Sequence, residues 1–252
     1  MNLTLEEHAE ELRTRGYTIV ESVLDADQLA ETNAALDQIF ETEYELGLDR
    51  GWRNEVYQVA YMLPQKHPLF RSFPLNPKVL PLMQLLLGNR CVLGSLNGLS
   101  MTPGGETQRM HLDQTETVPG ALLYINALHA LDDFTRANGC TRVVPFSQNR
   151  PFSRQMDPAE YEGEAVYLEA PAGSLIAYNG GLWHAGSQNT TDKRRRAIHA
   201  FFHKPWVRSQ WDYPRSLSAE VIAELTPAQK RLFGFYSRTM WYDYRTDSMR
   251  KD

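Results

Sequence analysis

Residues 173–204 read GSLIAYNGGLWHAGSQNTTDKRRRAIHAFFHK. The apolar run SLIAYN reads as a strand, and the glycines after it permit a tight turn. A short piece carrying His184 follows, and then RRAIHAFFHK, again extended. Working outward, the same grammar begins at Cys91. CVLGSLNGLSMTP, ETQRMHLDQTE, GALLYINALHALDDF, GCTRVVPF and AVYLEA are short extended segments bounded by Gly, Pro, Asn and Asp. That spacing predicts an antiparallel sandwich or jelly roll rather than βαβ units.

The flanks read differently. Thr4 with Glu7 three residues later has the pattern of a capping box, followed by Leu5, His8 and Leu12 at helical spacing. Gly16 ends that helix and YTIVESVL alternates as a strand. Asp25 with Gln28 caps a second helix, whose stripe is Leu29, Thr32, Ala35, Leu36 and Ile39. A third helix is expected from Pro77 to Leu87, ending at a glycine. Ser218 to Lys230 has helical spacing, and the YDYRTDSMRKD ending is expected to fray. The chain thus divides into a mostly helical cover (1–90), a β core (91–206) and a C-terminal lid or helix (207–252), all within one domain.

The chain has 252 residues, of which 42% are hydrophobic and 11% aromatic, ample for a real core. A net charge of −5 creates no basic field for nucleic acid or anionic membrane. The acidic, amphipathic start is no signal peptide, and no apolar stretch reaches the ~20 residues that span a bilayer. Two cysteines, Cys91 and Cys140, are too few for a disulfide framework or a thiolate metal site. These features predict a soluble, cytoplasmic monomer or homodimer acting on a small molecule.

In RMHLDQTE (109–116), His111 and Asp113 would point the same way if the stretch is extended. Taken alone, the pair fits a metal site or the polar alternation of any half-solvated strand. His184, after an apolar strand, shifts the balance. Two histidines and one carboxylate on one face of a metal leave three positions open, the arrangement expected of non-haem Fe(II) oxygenases. Arg195, eleven residues past His184, adds a fork able to bind a carboxylate bidentately.

At these residues the chain resembles the phytanoyl-CoA dioxygenase family of Fe(II)/2-oxoglutarate oxygenases. The likeness is loose at GYTIVESVLDADQL and strong from about Thr107 to Phe202, through ALDDFTRANGCTRVVPFSQ and WHAGSQNTTDKRRRAI. The resemblance implies a double-stranded β-helix (jelly roll, cupin-like) core with flanking N-terminal helices. It implies His111, Asp113 and His184 as iron ligands, and Arg195 as partner of the remote carboxylate of 2-oxoglutarate. Arg194 and Arg196, shifted by one, should face the other side as solvated companions. Two departures stand out. Pro145-Phe146-Ser147-Gln148 replaces a common Pro-Gly-Ser-His, and Gly186 stands where many members carry a serine, with Ser187 next. The further cosubstrate contacts are therefore sought among Thr107, Gln108, Tyr124, Asn126 and Ser187.

The implied activity is oxidoreductase chemistry with Fe(II), O₂ and 2-oxoglutarate, releasing succinate and CO₂. Related halogenases lack the carboxylate ligand, so Asp113 points to hydroxylation, or to desaturation, cyclisation or dealkylation. Tyr61, Asn97, Trp183, Arg208, Gln210 and Trp211 are candidate substrate contacts, since aromatic and polar groups in loops often carry specificity. Asn97, Gln108, Asn126 and Gln210 offer polar cavity contacts that favour a small polar metabolite or natural-product intermediate. His8 and His67 read as surface residues, and His129, His199 and His203 as structural ones, although His199 shares the parity of Arg195. Two rivals remain: a cupin-like metal enzyme not using 2-oxoglutarate, and a non-catalytic small-molecule-binding protein on the same scaffold.

Overall fold

The computed structural model describes residues 3–54, 56–113, 118, 120–150, 158–237, 241–243 and 248–250. Nine strands build two antiparallel sheets. In chain order they are β1 (Tyr17–Val20), β2 (Tyr57–Ala60), β3 (Val92–Met101), β4 (Tyr124–Ala130), β5 (Thr141–Val143), β6 (Val166–Leu168), β7 (Leu175–Asn179), β8 (His184–Gly186) and β9 (Arg195–His203). The larger sheet has the order β1-β7-β4-β9-β3-β2 and the smaller β6-β5-β8. The two face each other as a jelly roll. Both edge strands of the larger sheet come from the first ninety residues.

Strand alternation divides the core. On the outer face of the larger sheet, Ile198, Ala200 and Phe202 of β9 join Ile125, Ala127, Leu175 and Ala177 in a cluster completed by helical residues such as Leu12, Leu36 and Leu82. Ala197, Leu128 and Ile176 pack instead with Val143 and Leu168 of the smaller sheet, which closes the barrel. A third cluster, around Met110, Tyr161, Trp183 and Ala185, covers the smaller sheet.

The helical cover begins at two capping boxes. Thr4 and Glu7 cap the helix Leu5–Thr14, and Asp25 and Gln28 cap Ala26–Thr42. Gly16 takes φ +91°, a conformation open to glycine, and turns the chain into β1. The second helix buries Thr32, Ala35, Leu36 and Ile39.

Several expectations are corrected. The third helix starts at Leu80, not Pro77, because Val79 and Leu80 first form a turn onto the Asn76 carbonyl. His8 is buried, its Nδ1 2.8 Å from Thr18 Oγ1, so it ties helix to β1 rather than meeting solvent. The segment 106–113 is no continuous strand. It follows β8 through separate contacts, Gln108 N to Gly186 O (3.0 Å) and the His111–His184 bridge. Gln114–Glu116 of that segment lie outside the described residues. The tail region forms two short helices, Ala219–Glu224 and Pro227–Leu232. Trp241–Asp243 pairs with Ser248–Arg250 where a frayed end was expected, residues 244–247 and 251–252 lying outside the described set.

Phe202→Ala should cost about 3–5 kcal/mol, because a fully buried ring on the central strand is lost and a cavity remains. Urea denaturation followed by circular dichroism reads this as a lower midpoint at unchanged slope.

Candidate active site

His111 and His184 are joined by two backbone hydrogen bonds, His111 N to His184 O (2.9 Å) and His184 N to His111 O (3.1 Å). This bridge brings the two rings to a centroid separation of 4.5 Å. Each Nδ1 meets a carbonyl oxygen two residues earlier, Arg109 O at 2.9 Å and Leu182 O at 3.1 Å. A carbonyl only accepts, so each Nδ1 carries the proton and each Nε2 keeps a free lone pair. Asp113 Oδ1 stands 3.8 Å from His111 Nε2 and 3.5 Å from His184 Nε2. The three ligand atoms lie within 4.8 Å of one another, close enough to share one ion.

The second oxygen of Asp113 accepts 2.7 Å from Asn126 Nδ2, leaving Oδ1 to face the histidines. Burial alone would raise this carboxyl. At the acid pH where this carboxyl titrates, the hydrogen bond and charge of a protonated His184, the field of His199 and the Asn126 amide outweigh it and hold Asp113 well below the usual carboxylate range. It is therefore ionised at neutral pH. Burial, reinforced by the charge of His184, lowers His111 and favours the neutral ring that a metal requires.

Arg195 lines the same cavity of about 290 Å³ as the triad. It is buried, with its guanidinium 4.2 Å from the centre of the Phe134 ring and Nη2 3.9 Å from Met101 Sδ. Its Nε has no hydrogen-bond partner among the described residues. Burial pulls its pKa down to about 10, so it remains charged at neutral pH. Such a charge is costly without a counter-anion. A dicarboxylate reaching the triad with one end and Arg195 with the other would satisfy both, so the donor set fits iron and the orphaned arginine fits 2-oxoglutarate.

Arg194 and Arg196 do lie on the opposite side, but Arg196 is not a solvated companion. Its guanidinium forks onto Asp132 (Nη2 2.7 Å, Nε 3.1 Å) and reaches Asp37 at 2.9 Å, while Arg194 meets Asp37 at 2.7 Å. The basic run thus fastens helix Ala26–Thr42 to β9.

The other expected contacts separate into groups. Gln108 lines the cavity beside Arg195, and its Oε1 accepts from Gly186 N at 2.8 Å. A Cβ on Gly186 would lie 3.0 Å from that oxygen, so the glutamine amide occupies the space a side chain at 186 would need. Ser187, one residue on, faces away by alternation and lines a separate surface hollow with Thr107. Tyr124 donates its hydroxyl to Gly180 O at 2.5 Å, and Asn126 serves Asp113. Neither Thr107, Ser187 nor Tyr124 lines the triad cavity.

Among the expected substrate contacts, Trp183 stacks on Tyr161 at 4.8 Å in the outer cluster, because it alternates with His184. Asn97 accepts from Trp211 Nε1 (3.0 Å) and Met62 N (3.3 Å) and donates to Gln210 Oε1 (3.3 Å). Trp211 in turn meets Tyr61 edge to face at 5.4 Å. These residues brace a wall, and Arg208 and Gln210 line a second cavity beyond it. His129 is structural as expected, buried against Phe73 at 4.6 Å and pulled down to about 3 by burial. His199 is not. It faces the triad cavity and makes no hydrogen bond to a described residue.

Tyr178 and Thr141 are among the lining residues that went unnamed in the sequence. Tyr178 packs its ring 4.9 Å from His184, and its parity with Ile176 in an apolar strand was the signal available. Thr141 pairs in register with Gly186 and so faces the cavity; nothing short of the register reveals it.

The Phytanoyl-CoA dioxygenase (PhyH) family matches residues 12–197. Uncharacterized protein Rv1501 of Mycobacterium tuberculosis is 31% identical over 247 residues, covering 95% of this chain and 90% of that protein. Dioxygenase af480 of Aspergillus fumigatus is 28% identical over 243 residues, covering 92% and 77%. Among solved structures, the epimerase SnoN in complex with Fe3+, alpha ketoglutarate and nogalamycin RO superposes with a TM-score of 0.66. It is 22% identical and covers 80% of this chain and 84% of its own, a likeness of fold.

Asn126→Ala should weaken divalent-metal binding about 10–100-fold, since the carboxylate ligand loses the amide that orients it. Isothermal titration with Mn(II), beside a far-ultraviolet spectrum showing retained fold, measures this.

Proposed function

The chain belongs to the phytanoyl-CoA dioxygenase (PhyH) family, and from that premise we propose that it is a non-haem Fe(II)/2-oxoglutarate-dependent oxygenase of a small metabolite or natural-product intermediate. The observation that carries the reading is Arg195: a buried cation whose Nε has no partner among the described residues, in the same cavity as a His-Asp-His set. The name of SnoN, with Fe3+ and alpha ketoglutarate bound on a like fold, supports the cofactor pair.

Held by His111, Asp113 and His184, Fe(II) with 2-oxoglutarate and O₂ would supply oxidative decarboxylation of the cosubstrate to succinate and CO₂, coupled to oxidation of the substrate. The chain's own residues prepare the site. His111 and His184 present Nε2 because backbone carbonyls hold their Nδ1 protons. Asp113 offers Oδ1 because Asn126 occupies Oδ2. Arg195 binds the remote carboxylate of 2-oxoglutarate, with Gln108 and Thr141 beside it in place of the serine common in the family. Leu99, Leu128 and Tyr178 give the chamber a largely apolar wall that limits water around the reacting centre. With Asp113 filling the third protein ligand position, the reading favours hydroxylation, with desaturation, cyclisation or dealkylation as variants, over halogenation.

Anaerobic addition of Fe(II) and 2-oxoglutarate should produce a visible charge-transfer band. A protein that binds iron without this band is a metal enzyme of another kind, and one that binds no iron is a binding protein. Arg195→Gln should raise the 2-oxoglutarate dissociation constant at least tenfold, in line with the roughly 2–5 kcal/mol lost when a buried charge pair is truncated. Unchanged affinity shifts the role to another cation. Asp113→Ala and His184→Ala should abolish succinate formation; normal turnover in either defeats the ligand assignment.

A further inference from the structure

A second cavity, of about 340 Å³, shares Asp113 and His199 with the first. The inner face of β9 gives their order. Arg195 lines the first cavity, His199 lines both and Phe201 lines the second, which sets the two ends about 20 Å apart at strand rise. The triad stands over the middle, between the cosubstrate end and this second chamber.

The two chambers differ in chemistry. The first carries Val59, Leu99, Met101 and Leu128, whereas Phe201 is the single apolar side chain lining the second among the described residues. Two of its lining residues are almost fully buried and hold polar atoms with no hydrogen-bond partner among the described residues, Ser95 Oγ and Asn126 Oδ1. A buried polar group left unpaired costs about 1–3 kcal/mol, so each is a contact that a polar ligand would satisfy. Arg208 lines the same chamber, is exposed, and forms no ion pair with any described residue. Asp113, the other full charge there, is already engaged by Asn126 and the histidines. Arg208 also stands on a braced segment. Ser209 Oγ lies 2.9 Å from His203 Nε2, Trp211 N donates to Gly94 O at 2.9 Å, and Gln210 is held by Asn97.

We infer that this second chamber receives the substrate, and that the substrate is a compact polar molecule bearing an anionic oxyacid group, a carboxylate or a phosphate, that pairs with Arg208. Ser95 and Asn126 take its uncharged polar groups, and the carbon to be oxidised lies toward Asp113 and His199. A chamber at the small end of the roughly 300–1,000 Å³ range of ligand pockets, with no aliphatic side chain among its described lining residues, does not suit a long acyl chain. Arg208 is thus a specificity residue rather than a catalytic one. The inference rests on the oxygenase reading above, which assigns the first chamber to 2-oxoglutarate.

The test uses the full chain loaded with Zn(II) and 2-oxoglutarate, and saturation-transfer NMR with four probes. Benzoate and phenyl phosphate carry the anion; benzamide and benzyl alcohol are their neutral counterparts. The anions should bind at least tenfold more tightly than the neutral pair, and the tighter anion identifies carboxylate or phosphate. Arg208→Gln should abolish that advantage and leave 2-oxoglutarate affinity unchanged, while Arg208→Lys retains most of it. Equal binding of neutral probes, absence of anion binding, or loss of anion binding in Arg195→Gln but not in Arg208→Gln overturns the inference. Failure to bind 2-oxoglutarate, titrated separately on the same sample, defeats the oxygenase reading instead, and the probe comparison still reads the chamber.

Discussion

Two backbone hydrogen bonds between His111 and His184 determine where the rest of the site can stand. One residue contributes from an irregular segment and the other from a three-residue strand, so neither is held by a long ladder of its own. Their mutual bridge supplies the missing restraint. It sets the separation of the rings, and the carbonyls of Arg109 and Leu182 then set which nitrogen faces inward. Asp113, two residues past the bridge, falls between the two Nε2 atoms, and the Asn126 amide turns the carboxylate to its task. A metal site is thus specified largely by main-chain geometry, and side-chain rotamers are left little freedom.

Central strand β9 supplies the complementary constraint. Its alternation turns Arg195 and His199 inward and Arg196, Ile198, Ala200 and Phe202 outward. One strand therefore anchors the helical cover through apolar packing and the Arg196 fork onto Asp132 and Asp37, and on its other face lines the triad cavity. The energetic roles differ as well. The Arg196 guanidinium is paired by Asp132 and Asp37, whereas Arg195 Nε has no hydrogen-bond partner among the described residues. That asymmetry separates an arginine fastened within the protein from one, a single residue away, that lines the triad cavity.

Much of this was legible in the sequence. Short apolar runs between turn residues, Thr4-Glu7 and Asp25-Gln28 caps, and a histidine following an apolar strand each reflect local physics, and each appears in the structure at its expected place. The illegible part depended on register. That Ser187 faces out and Thr141 in, or that Tyr124 ends on a carbonyl of the Gly180 turn, follows from which residue of one strand opposes which residue of another. No local pattern encodes that opposition. Asn97 and Trp211 were polar and aromatic in loops, as substrate contacts are, but they found each other across 114 positions and became a brace. His8 was hidden for the same reason, its partner Thr18 lying across a helix-to-strand turn.

The strand order carries a consequence for how the chain reaches this state. β9 sits between β4 and β3, yet it is the last of the six to leave the ribosome. Until it inserts, the larger sheet consists of two separate halves, β1-β7-β4 and β3-β2, with no hydrogen bonds joining them. The first strand also waits, since Tyr17–Val20 pairs with Leu175–Tyr178, more than 150 residues later. Such distant pairings slow folding, because the loops must close before any contact rewards closure. The strand whose arrival completes the sheet is the one bearing Arg195 and His199. Nascent chains stalled before it lack both the joined sheet and the two inward-facing residues, Arg195 and His199, that line the triad cavity.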